Sequence, residues 1–480
     1  MRPILAGIDC EYGILVQGKG AEEQIEYSQT LVESFSNEGL FVGWDYRFEN
    51  PRNDLRGFEL KNLAVDPNDA KFDVGRQQRS SIEIRADRVL PNGARFYNDH
   101  GHPEYATPES FSIFELAQSD QLGESIVRQA GQFSGLEATL YKNNTDYHGA
   151  SYGTHESYSV PRRHSFESIC AAVMPMLVVR QILTGAGKVG SEEGEWCDFQ
   201  LSQRADFFVE TANAETLWRR PIFNTRDEPH ADPAKWIRLH VISGDANMNP
   251  TCTALKVGLV KLALWLLDAG EAPNWHFANP VQTFKSLSRD LSFDFRIELT
   301  KGNWTTAYEV FESYFAAAES ILKLNSEAQW VIETSRRLLH DLQSDWDSFR
   351  TNVDWGTKLH LLNQIREEEA LTWRDPVLQA YDLEYSNIDP ESGLFPALLE
   401  MGEVANVNFP PEEVPRSRAF VRGIAIQKFG TDLTNVGWRG LTFGQEFVEL
   451  PPDVAYPDSI ADIPDVGTFI NTLKEINASI

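Results

Sequence analysis

Strand-like alternation and long helical runs follow one another along this chain without the strand–helix–strand rhythm of a parallel sheet. That irregularity is what most constrains the fold. Ile237, Leu239 and Val241 alternate with Arg238 and His240, and residues 94–100 alternate in the same way. Residues 3–8 are apolar enough for a buried strand, which runs into Asp9-Cys10-Glu11. QLSQRADFFVETA (200–212) reads as a strand pair or a strand and turn. Helical spacing is clearest over 254–268, 305–323 and 326–343. In the second of these Tyr308, Phe311, Phe315 and Leu322 share a stripe and read as core. The mixture predicts an α+β fold with a largely antiparallel sheet backed by helices.

A chain of 480 residues holds two or three domains, or one oversized domain with an appendage. Prolines 410, 411, 415, 451, 452, 457 and 464 interrupt the helical pattern beyond Gly402. The expected division is therefore a main domain over 1–404 and a small C-terminal domain over 405–480. Most of the stretch from Glu49 to Asp87 lacks sustained periodicity. It is expected to hold a long inserted loop at about 61–88, of the kind that is commonly functional.

Charge excludes several function classes. The 43 basic against 71 acidic side chains leave a net −28, which repels nucleic acid and anionic lipid. The four cysteines form no CxxC pair, so a zinc site has no support, and scattered thiols suit a reducing cytoplasm. The N-terminal MRPILAGIDCEYGI has acids within a dozen residues and no signal-peptide core. The longest uncharged apolar run, Ile169 to Val179, is too short to span a bilayer. The expectation is a cytoplasmic protein with neither nucleic acid nor membrane as partner.

The segment richest in candidate chemistry is NGARFYNDHGHPEYATPE (92–109). In a strand, Arg95, Tyr97 and Asp99 share one face, with Phe96 and Asn98 on the other. Glu104 and Thr107 follow after a short turn. Such a row is either a solvated strand face or a phosphate and magnesium site, with carboxylates as hard oxygen ligands and arginine for phosphate. Asp9 and Glu11 also share a face, as a polar strand edge or around a cation. NTRDEPHAD (224–232) reads as a loop, and charge clusters of that kind usually lie on the surface. In RLHVISGDAN (238–247) a strand histidine is more often a satisfied core residue than a ligand. LTGAGKVG (183–190) is glycine-rich with a lysine but does not match GxxxxGK[ST]. GASYGTHESY (149–158) offers His155 and Glu156 after a glycine turn, and is not HExxH.

Taken in order, NGARFYNDHGHPEYATPE, YKNNTDYHGASYGTHESY, RQILTGAGKV, FQLSQRAD, NTRDEPHAD and RLHVISGDANM resemble the signature blocks of the enzymes that attach and remove Pup, a small bacterial protein tag. The resemblance covers most of residues 1–300 and continues weakly through DWGTKLHLL (354–362) and DLEYSNI (382–388). WDYRFENPRNDLRGFEL (44–60) and the short turn from Asp99 to His102 resemble the depupylase (Dop) branch rather than the ligase branch. The resemblance implies a glutamine-synthetase-like catalytic domain with a small C-terminal domain, ATP and Mg²⁺ in a sheet cradle, and the Pup tail in an adjoining groove. It places Asp9, Tyr97 and Glu104 at magnesium contacts. Arg95 and Thr107 fall at ATP contacts, Trp438 at the nucleotide, and Asp99 on the catalytic aspartate. Arg204 and Arg226 are assigned to phosphate because each lies in a family block with no other role for a cation.

The implied reaction is hydrolysis of the isopeptide bond between Pup and a target lysine, and deamidation of a C-terminal glutamine, in a pathway linked to the proteasome. Asp99 as nucleophile and Asp99 as base for water both stay open. Other readings are an ATP-consuming carboxylate–amine ligase or phosphatase acting on another substrate, and a catalytically weak tag-binding relative. Asp9 stands where the family usually has glutamate, one methylene longer, and magnesium tolerates little distortion of its shell. An acidic tag also requires a local groove of Lys and Arg on a −28 protein.

Overall fold

The computed structural model describes residues 1–480 except 21–22, 37–38, 62–84, 148, 150, 193, 218 and 480. Most of the expected 61–88 loop lies outside the described residues.

The frame is a seven-stranded sheet built from β1 (Ala6–Glu11), β2 (Phe41–Val42), β3 (Arg88–Val89), β4 (Arg95–Asp99), β5 (His102–Ala106), β6 (Thr154–Pro161) and β7 (Trp236–Val241). Its spatial order is β7-β6-β1-β5-β4-β3-β2, and every neighbouring pair is antiparallel. Alternation decides what each face does. Ile8, Tyr158, Val160, Ile237, Leu239 and Val241 point to one side. There they join a core with Ile113, Phe114, Leu116 and Ala117 of helix α1 (Ile113–Ser134) and with helices α2 (Phe166–Val179) and α3 (Pro250–Ala269). Ser112 starts α1 by accepting from Phe114 N and Glu115 N.

The apolar run 169–179 is α2, a helix buried nearly all round in this core, which explains its lack of charge. No described helix is long and apolar enough to cross a membrane. Helices α4 (Ala307–Ile321) and α5 (Ser326–Ser344) fall where the periodicity places them, and Phe311 and Phe315 are buried as expected.

Among the described residues outside the main sheet, one pairing departs from the antiparallel expectation. Phe208–Asn213 runs parallel to Arg220–Asn224. Alternation specifies which face a residue takes, not the direction of its partner strand.

Beyond residue 417 a separate apolar cluster forms. It draws on Val421, Ala425, Ile426 and Phe429 of helix α6 (Arg418–Phe429), on strands β8 (Leu433–Val436), β9 (Gly440–Phe443) and β10 (Glu446–Glu449), and on helix α7 (Val466–Ala478). Trp44 and Val89 complete that cluster from the N-terminal part. Helix α6 sits directly on Gly93, where φ is +86° and a Cβ would lie 2.2 Å from the Ala419 carbonyl oxygen. Residues 405–417 cross between the two cores without helix or regular strand. Phe409 packs there against Phe114 at 5.0 Å and Trp330 at 5.7 Å.

Candidate functional site

Antiparallel register stacks the polar face of the sheet into rows. Tyr97, Glu104 and Glu11 stand side by side across β4, β5 and β1. In the next row Arg95 faces Ala106, which faces Asp9, which faces His155. His240 sits opposite Ser157, and Arg238 opposite Ser159. Above this face opens a cavity of about 510 Å³, lined among others by Asp9, Arg95, Tyr97, Asp99, Glu104, Thr107, Arg204, Arg226 and Trp438. All nine residues singled out from the sequence therefore meet in one place.

One end of β4 is shaped by its turn. His100 (φ 49°) and Gly101 (φ 97°) form a two-residue connection between paired Asp99 and His102, the geometry that follows the sheet's own twist. This leaves Asp99 partly open to the cavity, with His100 Nδ1 at 2.9 Å and Arg85 Nη2 at 3.8 Å. Burial acts to raise the Asp99 pKa, but the charges of His100 and Arg85 outweigh it and hold the carboxyl far below its usual range. The same pairing raises His100 to about 9.

Two groups of ligand atoms converge, each within 4.8 Å of its fellows: Glu11, Asp99 and Glu104, and next to them Asp9, His155 and His240. Glu104 accepts the Tyr97 hydroxyl at 2.5 Å. Burial, then Asp99, Asp9 and Glu11, push the Glu104 pKa well above the carboxylate range, so this crowd of acids calls for a cation. Asp9 is held charged against its burial mainly by His155, whose Nδ1 lies 3.4 Å away. Gly153 makes room here, since a Cβ would lie 2.3 Å from His155 Nε2. An all-oxygen set beside a mixed oxygen and imidazole set fits Mg²⁺ in the first and a divalent ion in the second.

The opposite wall is cationic. The buried Arg204 finds no acceptor for Nε or Nη1 among the described residues, and burial lowers its pKa to about 9. Arg226 donates Nη2 to Thr216 Oγ1 at 3.2 Å, and its Nε has no described acceptor. Arg238 donates Nη2 to Glu228 at 3.2 Å. Buried donors without protein partners are costly and mark a surface prepared for an anion.

The loop carrying Arg204 is held by Asp245, which accepts from Gln203 N at 3.0 Å, Ser202 Oγ at 2.8 Å and Ala186 N at 2.8 Å. The glycine-rich stretch serves packing: a Cβ on Gly185 would lie 2.1 Å from the Leu201 carbonyl oxygen. Its Lys188 is buried against Glu192, away from the cavity.

Arg95 and Thr107 are engaged with the protein. Arg95 donates to Asp87 Oδ1 at 2.6 and 2.8 Å and to Tyr46 Oη at 2.7 Å, and its guanidinium lies over the Trp44, Tyr46 and Tyr97 rings. Thr107 Oγ1 accepts Ile8 N at 3.0 Å. Trp438 closes one end of the cavity. Trp44 meets its ring edge-on at 4.7 Å, and His230 lies nearly parallel to it at 6.2 Å.

Two expectations need correction. NTRDEPHAD is a loop, but Arg226, Glu228 and His230 turn inward rather than to the surface. Burial works against the charge of Glu228, yet His230 and Arg238 hold its carboxyl down to about 2. His240, expected as a satisfied core residue, is buried with Nδ1 unpartnered among the described residues and belongs to the second ligand group. Glu11, His155, Arg238 and Arg85 also line the cavity beyond the nine. Glu11 shares Asp9's strand face, which was legible. His155 and Arg238 were named within their motifs but not assigned to the site, and Arg85 carries no signal until loop packing brings it in.

The whole architecture has known counterparts. The family model for the Pup-ligase protein matches residues 4–442. The chain is 36% identical to the depupylase of Acidothermus cellulolyticus, over 98% of this chain and 95% of the relative. It is 34% identical to the Pup deamidase/depupylase of Mycolicibacterium smegmatis, over 93% of each. Among solved structures, the complex of Pup with its ligase PafA superposes with a TM-score of 0.75 at 26% identity, covering 100% of this chain and 95% of the ligase chain. PafA bound to ADP superposes at 0.69 and 27%, covering 88% of this chain and 96% of the other. An ordered set of motifs, a shared fold and full-length similarity agree: the chain belongs to the Pup ligase/depupylase family.

Proposed function

We propose that this chain is an ATP- and Mg²⁺-dependent amidohydrolase of the depupylase type. It cleaves the isopeptide bond between Pup and target lysines and deamidates the C-terminal glutamine of Pup. Membership of the family, with depupylases matching across nearly the whole chain, supports the substrate. The observation that carries the chemistry is an ionised, partly open Asp99 among clustered carboxylates, in a cavity also lined by Arg204 and Arg226, whose Nε atoms have no acceptor among the described residues.

Glu11 and Glu104, with Asp9 beside Glu104, are the residues that would hold Mg²⁺, and Tyr97 orients Glu104 through its hydroxyl. Bound there with ATP, the ion supplies charge neutralisation for phosphate oxygens and polarisation of a carbonyl. Arg226 and Arg204 hold phosphate oxygens, Arg95 and Thr107 border the nucleotide, and Trp438 offers its ring to the base. Asp99 attacks the amide carbonyl itself or takes the proton from an attacking water. The low pKa of Asp99 keeps its carboxylate ionised at neutral pH, the form that either step starts from. In this reading residues 1–404 are the catalytic domain, 405–480 the small C-terminal domain, and the setting is cytoplasmic.

The test is to incubate the protein with ATP, Mg²⁺ and Pup joined to a lysine-bearing target, following cleavage by mass spectrometry together with ADP release. Cleavage without matching ADP release is expected, and Asp99→Asn should slow it by about 10²–10⁴-fold while nucleotide still binds. ADP formed in step with turnover would point instead to ligase or phosphatase chemistry on the same scaffold.

A further inference from the structure

Glu109 lies three residues beyond the end of β5, lines the cavity, and is buried. Its carboxylate accepts from two arginines of helix α6, 309 and 313 positions further along the chain. Arg418 Nε donates to Oε1 at 2.7 Å, and Arg422 Nη2 donates to Oε2. The Glu109 carbonyl oxygen also accepts the Ser417 hydroxyl. Both arginines are themselves buried, and Arg422 is further tied by Nε to the Gly93 carbonyl at 2.9 Å.

Both arginines connect to the Trp438 ring, Arg422 directly and Arg418 through His230. The Arg422 guanidinium lies 4.9 Å from the Trp438 ring centre. Arg418 Nη1 donates at 2.7 Å to the carbonyl of His230, whose imidazole lies nearly parallel to the same indole. One carboxylate on the sheet side is thus linked to the indole through both arginines, while Trp44 meets the ring edge-on. A buried carboxylate with two buried arginines is no better for stability than an apolar cluster of the same shape, so its value lies in geometry.

We propose that Glu109 is a positioning residue for the nucleotide. It sets the Trp438 ring through Arg422 and Arg418, and so controls nucleotide affinity rather than the amide chemistry. This rests on the proposed placement of the nucleotide base at Trp438.

The test measures ADP affinity by calorimetry, and turnover at saturating ATP, for Glu109→Gln, Trp438→Ala and the double variant. Glu109→Gln should weaken ADP about tenfold, within the range of coupling between contacting residues, with turnover within about twofold of the parent. The double variant should bind no worse than Trp438→Ala alone. Additive losses in the double variant, or full ADP affinity in Glu109→Gln, would overturn the proposal. An unchanged affinity in Trp438→Ala would overturn the placement of the base, and the proposal with it. Should Glu109→Gln fail to fold, Arg422→Lys serves. It keeps a charge for Glu109 but loses the planar face on Trp438, and should weaken ADP equally; unchanged affinity there overturns the proposal too.

Discussion

Replacing Arg204 by methionine should make the ligand-free protein more stable and the ligand-bound protein less so. Arg204 is 1% exposed, and its Nε and Nη1 donate to nothing among the described residues. Burial and the nearby Arg220 pull its pKa from an ordinary 12.5 to about 9. At about 1.36 kcal/mol per tenfold change in proton affinity, this is on the order of 5 kcal/mol against the charged form. Methionine is close in length and apolar, and it suits the ring of Phe208, over which the guanidinium now lies at 5.5 Å. Some of the gain is lost to imperfect repacking. The net stabilisation expected is about 1–4 kcal/mol, as found when buried charges give way to apolar side chains.

The arginine earns its place only when an anion fills the cavity. A charge-assisted hydrogen bond contributes about 1.5–3 kcal/mol, so the variant should bind ATP roughly 10- to 150-fold more weakly. Thermal melting with and without ATP and Mg²⁺ reads both effects. The parent should rise in Tm on adding nucleotide, and Arg204→Met should start higher and rise less. A ligand-free Arg204→Met that melts below the parent would refute the reasoning, because it would mean the guanidinium is stabilised within the protein itself.

Two further outcomes follow from the geometry. Asp9→Glu supplies the side chain, one methylene longer, that the family resemblance implies here, and should lower the Mg²⁺ concentration that half-saturates nucleotide binding by severalfold, since magnesium demands near-ideal oxygen placement; an unchanged Mg²⁺ titration would show that Asp9 does not reach the ion. Gly93→Ala should cost about 2 kcal/mol or more, from a Cβ 2.2 Å from the Ala419 carbonyl oxygen and a φ of +86°. It should expose the 418–429 helix to protease while leaving the far end of the main core protected, and uniform protection across both would count against it.

Much of the site was legible because strand geometry is local. The period of two puts Arg95, Tyr97 and Asp99 together on one face of their strand, and Asp9 and Glu11 together on one face of theirs, from residue spacing alone; register then makes these the same face of the sheet. The long helices follow equally from local periodicity, and α4 and α5 lie within about two residues of where their apolar stripes place them. The blocks containing Arg204, Arg226 and Trp438 were legible as family motifs. Nothing in their spacing says that a loop arginine is buried with donors that find no acceptor among the described residues.

What the amino-acid order determined by itself was the main strands and the long helices, the strand faces of Arg95, Tyr97, Asp99, Asp9 and Glu11, and the family. Tertiary structure alone decided who meets whom. Antiparallel register sets Glu11 beside Glu104 and Asp9 beside His155, and a slip of one residue would have turned each of them into the core. Asp245 holds the Arg204 loop from 41 positions away in the chain, counted from Arg204, and Glu109 holds Arg422 from 313 away. Such contacts arise from non-local packing, and neither propensity nor periodicity, which act over a few residues, can encode them.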